Sequence, residues 1–358
     1  MKEIVKLENV SKYYEKGKYI IKDLSLSVNE GEFLTLLGSS GCGKTTILRL
    51  ISGLEQVNDG KVFIDGVNVT DVIPAKREVN TIFQDFALFP HMTVFDNVGF
   101  GLKMKHIDKK EIKKRVKEVL NLVELDGFED RYPNQLSGGQ QQRVAIARGI
   151  IMNPKVLLLD ESLGSLDLKL KRTMQIELKK IQKKLGITFI YVTHNQDEAL
   201  TMSDRIVIIN EGTIVQDDTP QNIYQNPKNV FVADFIGESN ILPGKIVELK
   251  ENKSKVLITK NLSFEINRDL QDKINDKVSI IIRPENINLS INPLKNSIKG
   301  TVDDIIYDGA ISKLFINTQD DLKLKVTIPG NYKLKEKDEI YLKLDKEVLI
   351  PIRRKNNE

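Results

Sequence analysis

The chain has few of the residues that staple or metallate a fold. Cysteine occurs once, at Cys42, so an intrachain disulfide and a cysteine zinc cluster are both excluded. Histidine occurs three times, at His91, His106 and His194, which argues against a multi-histidine metal centre. No apolar run approaches the ~20 residues needed to cross a bilayer. The opening residues Met1-Lys2-Glu3-Ile4 pass straight into strand-like alternation, without an apolar signal segment. Neither sign of charge dominates. Lys plus Arg number 54 against 50 for Asp plus Glu, a net +4, which is too balanced to point to nucleic acid as the main partner. A cytosolic chain is the simple reading.

The sequence does have enough apolar content for a real core: 40% of its 358 residues are hydrophobic and 29% charged. That length predicts two domains, one large and one small. Up to about residue 237, strand-like and helix-like segments alternate, as in an α/β layered domain. Ile4 to Val10 and Ile20 to Val28 show the partial alternation of half-buried strands, and Glu32 to Leu37 is a short apolar strand. Ile47, Leu48, Leu50 and Ile51 recur at helical spacing, with Gly53 placed to end that helix. Val62-Phe63-Ile64 before Asp65-Gly66 reads as a strand entering a hairpin turn. Glu111 to Glu124 is an amphipathic helix, and Leu168 to Leu185 is another, closed by Gly186. Val156 to Leu159, Ile187 to Val192 and Ile206 to Ile209 are continuous apolar runs, as expected of strands buried on both faces.

After Gly237 the texture changes to short β-rich pieces separated by turn residues, from Gly244 to Leu249 through Glu339 to Leu344, which predicts a small β-barrel or sandwich. The expected domains are 1–237 and 238–358, with the boundary between Ile236 and Pro243 and a frayed polar tail from Arg353.

Three segments carry phosphate chemistry. Gly38-Ser39-Ser40-Gly41-Cys42-Gly43-Lys44-Thr45, followed by Thr46, fits G-x-x-x-x-G-K-[ST] between a strand and a helix. Glycines let backbone N–H groups curl around phosphate oxygens, and the helix that follows turns its positive end to the anion. Lys44 supplies a point charge to the outer phosphates, and Thr45 offers a hydroxyl to Mg²⁺. A redox role for Cys42 is less attractive than that of a small tolerated side chain. The second segment is Val156-Leu157-Leu158-Leu159-Asp160-Glu161, in which a buried strand delivers two carboxylates at its carboxyl end. Asp160 is placed to help hold Mg²⁺, and Glu161 to orient or deprotonate a water attacking the γ-phosphate. Between them, Ser137, Gly138, Gly139 and Gln140 open a helix running to Ile150 and make a second anion-binding terminus.

Leu136-Ser137-Gly138-Gly139-Gln140, lying between a phosphate loop and an acidic strand end, resembles the nucleotide-binding subunit of ATP-binding cassette (ABC) transporters over residues 1 to 240. The resemblance implies a P-loop α/β nucleotide-binding domain with a helical subdomain, ATP and Mg²⁺ as ligands, and ATPase activity coupled to transport. It also implies roles for particular residues. Tyr14 would stack on adenine, with Tyr13 a weaker candidate. Gln84 would reach Mg²⁺ and link to the membrane subunits. Asp167 would cross the subunit interface, in a segment where Ser165 replaces an alanine common in importers. His194 would contact the γ-phosphate, whereas His91 and His106 lack such context.

By the same resemblance, two copies would close head to tail around two ATP molecules, the 136–140 segment of one completing the site built on Lys44 of the other. Ile281-Ile282-Arg283-Pro284-Glu285 resembles the small all-β OB-like (TOBE) domain of importer ATPases. That implies two membrane permease subunits, an extracellular substrate-binding protein and a peripheral place at the cytoplasmic face of the cell membrane, with no nucleic acid.

The stretches 79–84, 86–98, 201–206 and 231–237 are most similar to the polyamine-importing branch, with a sugar or ferric-iron importer as the alternative. A soluble cassette ATPase acting on nucleic acid or the ribosome is a different class, disfavoured by a single phosphate loop without inserted arms. Finally, the aromatic-rich loop Phe86 to Pro90 is expected either to contact a cytoplasmic helix of the permeases or to pack under the helical subdomain, whereas the run Lys109 to Lys117 reads as a solvated helix face.

Overall fold

The computed structural model describes residues 2–15, 17–83, 85–160, 168–295 and 297–353, with the backbone alone at 168–170. The expectations for Gln84, Glu161, Ser165, Asp167 and the tail beyond Arg353 lie outside the described residues. The chain divides into two compact units, Met1–Gln221 and Asn222–Glu358.

In the first unit the strands are β1 (Glu3–Glu15), β2 (Lys18–Asn29), β3 (Phe33–Leu37), β4 (Asp59–Ile64), β5 (Val67–Asn68), β6 (Val79–Ile82), β7 (Val156–Asp160), β8 (Thr188–Thr193), β9 (Arg205–Asn210) and β10 (Thr213–Asp218). The helices are α1 (Lys44–Ser52), α2 (Val94–Met104), α3 (Lys109–Leu122), α4 (Gly138–Ile150), α5 (Leu168–Leu185) and α6 (Gln196–Met202). Two sheets result. One is antiparallel, in the order β2-β1-β4-β5; the other runs β10-β9-β3-β8-β7-β6 and is parallel apart from β10.

The parallel sheet separates two apolar cores, and alternate residues of each strand feed alternate cores, which is why these strands read as unbroken apolar runs. Leu157, Leu159, Phe189 and Tyr191 point into the core built with α2, α3, α4 and α5. Val156, Leu158, Ile190 and Val192 point into the core built with α1 and the antiparallel sheet. The short turn between β4 and β5 holds Asp65 (φ 49°) and Gly66 (φ 76°), the left-handed pair that a tight two-residue hairpin requires.

Arg77 fixes α1 from behind. Its guanidinium, 7% exposed, donates to the carbonyls of Leu50 (2.7 Å) and Ile51 (2.9 Å) at the carboxyl end of the helix, and to those of Val72 and Thr70. Burial lowers its pKa, with the Asp71 carboxylate pulling the other way.

At Phe86 the structure shows the packing alternative and not a partner surface. The residue is 5% exposed and packs in the core shared with the helical layer, so it presents no surface to a partner. The loop curls inward through left-handed residues Phe86 (φ 60°) and Ala87 (φ 44°), and Arg148 of α4 holds both carbonyls at 2.7 Å. The exposed aromatic of this region is Phe83, at 43%.

The second unit contains α8 (Val230–Phe235), preceded by α7 (Pro220–Gln225) at the division between units, and strands β11 (Asn240–Leu249), β12 (Lys253–Leu257), β13 (Ser263–Asn267), β14 (Lys277–Ile282), β15 (Asn288–Ser290), β16 (Ser297–Asp308), β17 (Ile311–Thr318), β18 (Lys323–Pro329), β19 (Glu339–Lys343) and β20 (Ile350–Arg353). These form two five-stranded antiparallel sheets, β13-β12-β11-β14-β20 and β15-β19-β16-β17-β18, around one shared core.

The Arg283-Pro284-Glu285 sequence has a structural explanation here. Arg283 is 1% exposed at the end of β14 and donates to the carbonyls of Ala233 (3.0 Å), Ile236 (2.6 Å) and Tyr224 (2.9 Å) and to Ser239 Oγ (2.6 Å). It therefore caps the carboxyl end of α8, where a cation meets the negative end of the helix. The Tyr224 ring lies 4.1 Å from the guanidinium, and its hydroxyl donates to Glu285 Oε1 at 2.5 Å. Burial and then the Glu285 hydrogen bond push the Tyr224 phenol up to about 12.

Candidate functional site

The order β3-β8-β7 sets three carboxyl ends side by side, with Leu37 paired to Thr193 and Val192 to Asp160. Ligands of parallel sheets gather at such an edge. The loop 38–43 leaves β3, His194 follows β8, and Asp160 ends β7, so residues far apart in the chain converge because the sheet puts them there.

The loop needs its glycines. A Cβ at Gly38 would stand 2.3 Å from the Ile209 carbonyl oxygen and 2.6 Å from Cys42 Sγ, closer than real side chains approach. Gly43 caps α1 in the left-handed region (φ 102°), hard against the Ile20 carbonyl of β2. Ser39, Ser40 and Gly41 form the exposed lip, while Cys42, Gly43 and Lys44 are buried. Lys44, 5% exposed, donates from Nζ to the carbonyls of Gly38 (2.8 Å) and Ser39 (2.7 Å), so its charge is held over the mouth of the loop. Cys42 Sγ lies 3.8 Å from the same ammonium.

Thr45 and Thr46 are half-buried in the first turn of α1, and Thr45 Oγ1 donates to Asp160 Oδ1 at 3.1 Å. A hydroxyl and a carboxylate at hydrogen-bond distance supply the hard oxygen donors that Mg²⁺ prefers. The fit is therefore good at Thr45 and Asp160; Gln84, the third expected ligand, lies outside the described residues, as does the expected base Glu161.

Tyr14 is 64% exposed on the β1–β2 ribbon, whose Ile20 carbonyl lies against Gly43. Its hydroxyl donates to Glu55 Oε2 at 3.1 Å, and Lys12 Nζ sits 5.0 Å from its ring centroid. Lys12 also pairs with Glu55 at 2.7 Å, which lowers the pKa of that carboxyl. An exposed ring with a cation on one side is available for stacking. Tyr13, by contrast, is engaged edge-on with Tyr19.

The Ser137–Gln140 segment starts α4, which packs against α2, α3 and β6 in the helical layer. A reciprocal capping box closes it: the Gln140 N–H donates to Ser137 Oγ at 3.4 Å, and the Ser137 N–H to Gln140 Oε1 at 2.9 Å. Gly138 is half-buried and Gly139 buried.

One buried carboxylate lies outside the expectations from sequence. Glu198, 2% exposed on α6, accepts from Tyr191 Oη (2.6 Å) and Thr193 Oγ1 (2.5 Å) and pairs with Lys171 Nζ of α5 (2.6 Å). Its only sequence signal is a glutamate four residues after the candidate histidine, which has no periodicity to mark it.

Known protein families match both parts of the chain. The family model described as "ABC transporter" matches residues 21–164, and that described as "TOBE domain" matches residues 280–351. The chain is 49% identical to the "Spermidine/putrescine import ATP-binding protein PotA" of Clostridium novyi (strain NT), over 88% of this chain and 89% of that one. It is 51% identical to the protein of the same description from Clostridioides difficile (strain 630), again over 88% and 89%. Among solved structures it is similar to cbiO1 from Clostridium perfringens, part of the ABC transporter complex cbiONQ. That match has a TM-score of 0.58 and 29% identity, covering 62% of this chain and 91% of that one. The dimeric ATP-binding cassette MJ0796 bound to ADP and Pi matches with a TM-score of 0.53 and 35% identity, covering 61% and 99%.

Proposed function

The chain belongs to the ATP-binding subunits of ABC transporters and is the ATP-hydrolysing subunit of an importer, and on that premise we propose that it powers the uptake of polyamines, spermidine and putrescine. The observation that carries the substrate is the 49–51% identity, over 88% of the chain, to relatives described as spermidine/putrescine import proteins. The ATPase need not touch the transported molecule, so kinship rather than a pocket supports that choice. Sugar and ferric-iron import are the alternatives.

In the proposed mechanism the loop 38–43 and the amino end of α1 cradle the phosphates, and Lys44 Nζ exchanges its carbonyl partners for phosphate oxygens. Thr45 and Asp160 would hold Mg²⁺, which supplies charge neutralisation on the phosphates when bound. Tyr14 offers its exposed face to adenine. Glu161 takes the proton of the attacking water as the new oxygen–phosphorus bond forms and the bond to the leaving ADP oxygen breaks. His194 stands beside the γ-phosphate.

A second copy would bring its Ser137 to Gln140 segment to the same nucleotide, making the working unit a head-to-tail homodimer; Asp167 would lie at that interface. Two permease subunits would couple through the Gln84 region, with an extracellular substrate-binding protein delivering the polyamine. The subunit would sit peripherally at the cytoplasmic face of the membrane. No helix among the described residues is long and apolar enough to cross a bilayer, so attachment through permeases accounts for that placement.

The test is uptake of labelled spermidine and putrescine in cells lacking the gene, complemented with the wild-type chain or with Glu161→Gln. Rescue by the wild type alone is the expected outcome. Uptake independent of the gene would remove the polyamine assignment, and uptake sustained by Glu161→Gln would remove the proposed hydrolytic step. Recovery of the chain with ribosomes or DNA, not membranes, would instead favour a nucleic-acid factor.

A further inference from the structure

A carboxylate buried as deeply as Glu198 is costly unless it is paired and fully hydrogen-bonded. Two of its partners, Thr193 and Asn195, flank His194 in the chain. Thr193, on one side of the histidine, donates its hydroxyl hydrogen to Glu198 Oε2 and accepts the N–H of Asn195, on the other side, at 3.0 Å. Asn195 Oδ1 in turn accepts the N–H of Glu198 at 3.1 Å, capping α6. Both neighbours of His194 are thus fixed by the side chain or the backbone of one residue. The remaining oxygen of Glu198 holds Lys171, in the first turn of α5. That helix follows directly in the chain after residues 161–167, the segment that begins with Glu161.

We propose that Glu198 is a positioning residue for hydrolysis, holding the 193–195 turn so that His194 meets the γ-phosphate and tying that turn, through Lys171, to the helix that follows the Glu161 segment. The inference deepens the reading of His194 given above and rests on it. The chemistry requires such a brace. The electrostatic benefit of a group near a developing charge depends on the backbone that carries it being held in place before the reaction. A capping interaction alone would need Asn195 only; the carboxylate, its lysine and its two hydroxyl donors add a rigid connection across β8, α5 and α6.

The experiment is steady-state ATP hydrolysis by the full chain, comparing Glu198→Gln, Thr193→Ala, His194→Ala and the two double variants with His194→Ala. Glu198→Gln should lower kcat by about tenfold while KM for ATP stays within about twofold, because the lost quality is orientation in the transition state. Thr193→Ala should act in the same direction by about threefold. In the His194→Ala background either substitution should add less than about twofold, since residues that act through one group are not additive.

Full multiplication of the losses, a rise in KM without a fall in kcat, or unchanged kinetics would each overturn the proposal. Should Glu198→Gln fail to fold by circular dichroism, the Thr193→Ala pair makes the same comparison. If His194→Ala alone leaves kcat unchanged, the role of His194 fails and the brace fails with it. If His194→Ala lowers kcat but the effects multiply, only the brace fails.

Discussion

Replacing Arg283 by methionine should unfasten the helices of the second unit from its sheet. The substitution keeps an apolar stem of similar length and removes the guanidinium. Four good hydrogen bonds are lost, to the carbonyls of Ala233, Ile236 and Tyr224 and to Ser239 Oγ. Bonds from a charged donor contribute about 1.5–3 kcal/mol each, and buried carbonyls left without a donor bear their own desolvation cost. Against this, a charge no longer has to be buried. Burial already pushes the Arg283 pKa down, although Tyr224 and Glu285 oppose that shift, and Arg283 Nε is buried with no partner among the described residues. Relief of that desolvation returns several kcal/mol, leaving a net loss of about 3 kcal/mol. For a unit of this size, that corresponds to a fall of about 10 °C in its melting temperature. Differential scanning calorimetry of the full chain would measure it, and limited proteolysis should find the first new cleavage between residues 222 and 240. A shift below about 2 °C, or new cleavage confined to the first unit, would refute the claim that Arg283 is the clamp.

Lys44→Ala should weaken ATP binding by at least about tenfold in isothermal titration with the far-UV circular dichroism retained; unchanged affinity would contradict the role of the ammonium. Gln142, 0% exposed in α4, has neither amide atom hydrogen-bonded among the described residues, so Gln142→Met should raise the melting temperature, with a gain of about 1–2 kcal/mol. A lower melting temperature would mean that the amide is satisfied by something bound there. Asp272 is buried, which by itself would raise its pKa, yet hydrogen bonds from Arg353 and Ser254 hold the carboxyl at about 2 against an ordinary 3.8. A depressed carboxyl stabilises above its ordinary range and loses that contribution as pH falls from about 4 to about 2, here about 2 kcal/mol. The gap in melting temperature between wild type and Asp272→Asn should therefore close over that interval, and a gap independent of pH would argue against the pairing.

The parts most legible in the sequence were those where one physical demand controls many consecutive residues. Phe33 to Leu37 and Val156 to Leu159 read as buried strands because both faces of the central sheet are covered. The glycines at 38 and 43 stood out because close backbone approach and a left-handed cap allow little else. The acidic strand end, the histidine after β8 and the phosphate loop are separate in the chain, and the strand order accounts for their adjacency.

Short elements were not visible. Ser263–Asn267, Asn288–Ser290 and Ile350–Arg353 are strands of three to five residues that owe their place to neighbours in the ladder. The six-residue helix Val230–Phe235 depends on an Asn229 cap and on Arg283, some fifty residues away. Phe86 was legible as surface or as core because its loop is aromatic, but two left-handed residues turn it inward, and no composition rule reports that. Glu198 escaped for a similar reason, since its meaning lies in four partners from three elements.

Arg77 has an effect that reaches beyond the carbonyls it touches. A helix of nine residues is about 13 Å long, short enough for its two ends to be felt together. The carboxyl end of α1 would ordinarily present about half a negative charge, and an anion at the amino end would be repelled by it. With a guanidinium seated on the Leu50 and Ile51 carbonyls, that opposing pole is cancelled. The helix then acts as a one-sided electrode aimed at the phosphates, its return terminal grounded by Arg77 at the opposite end.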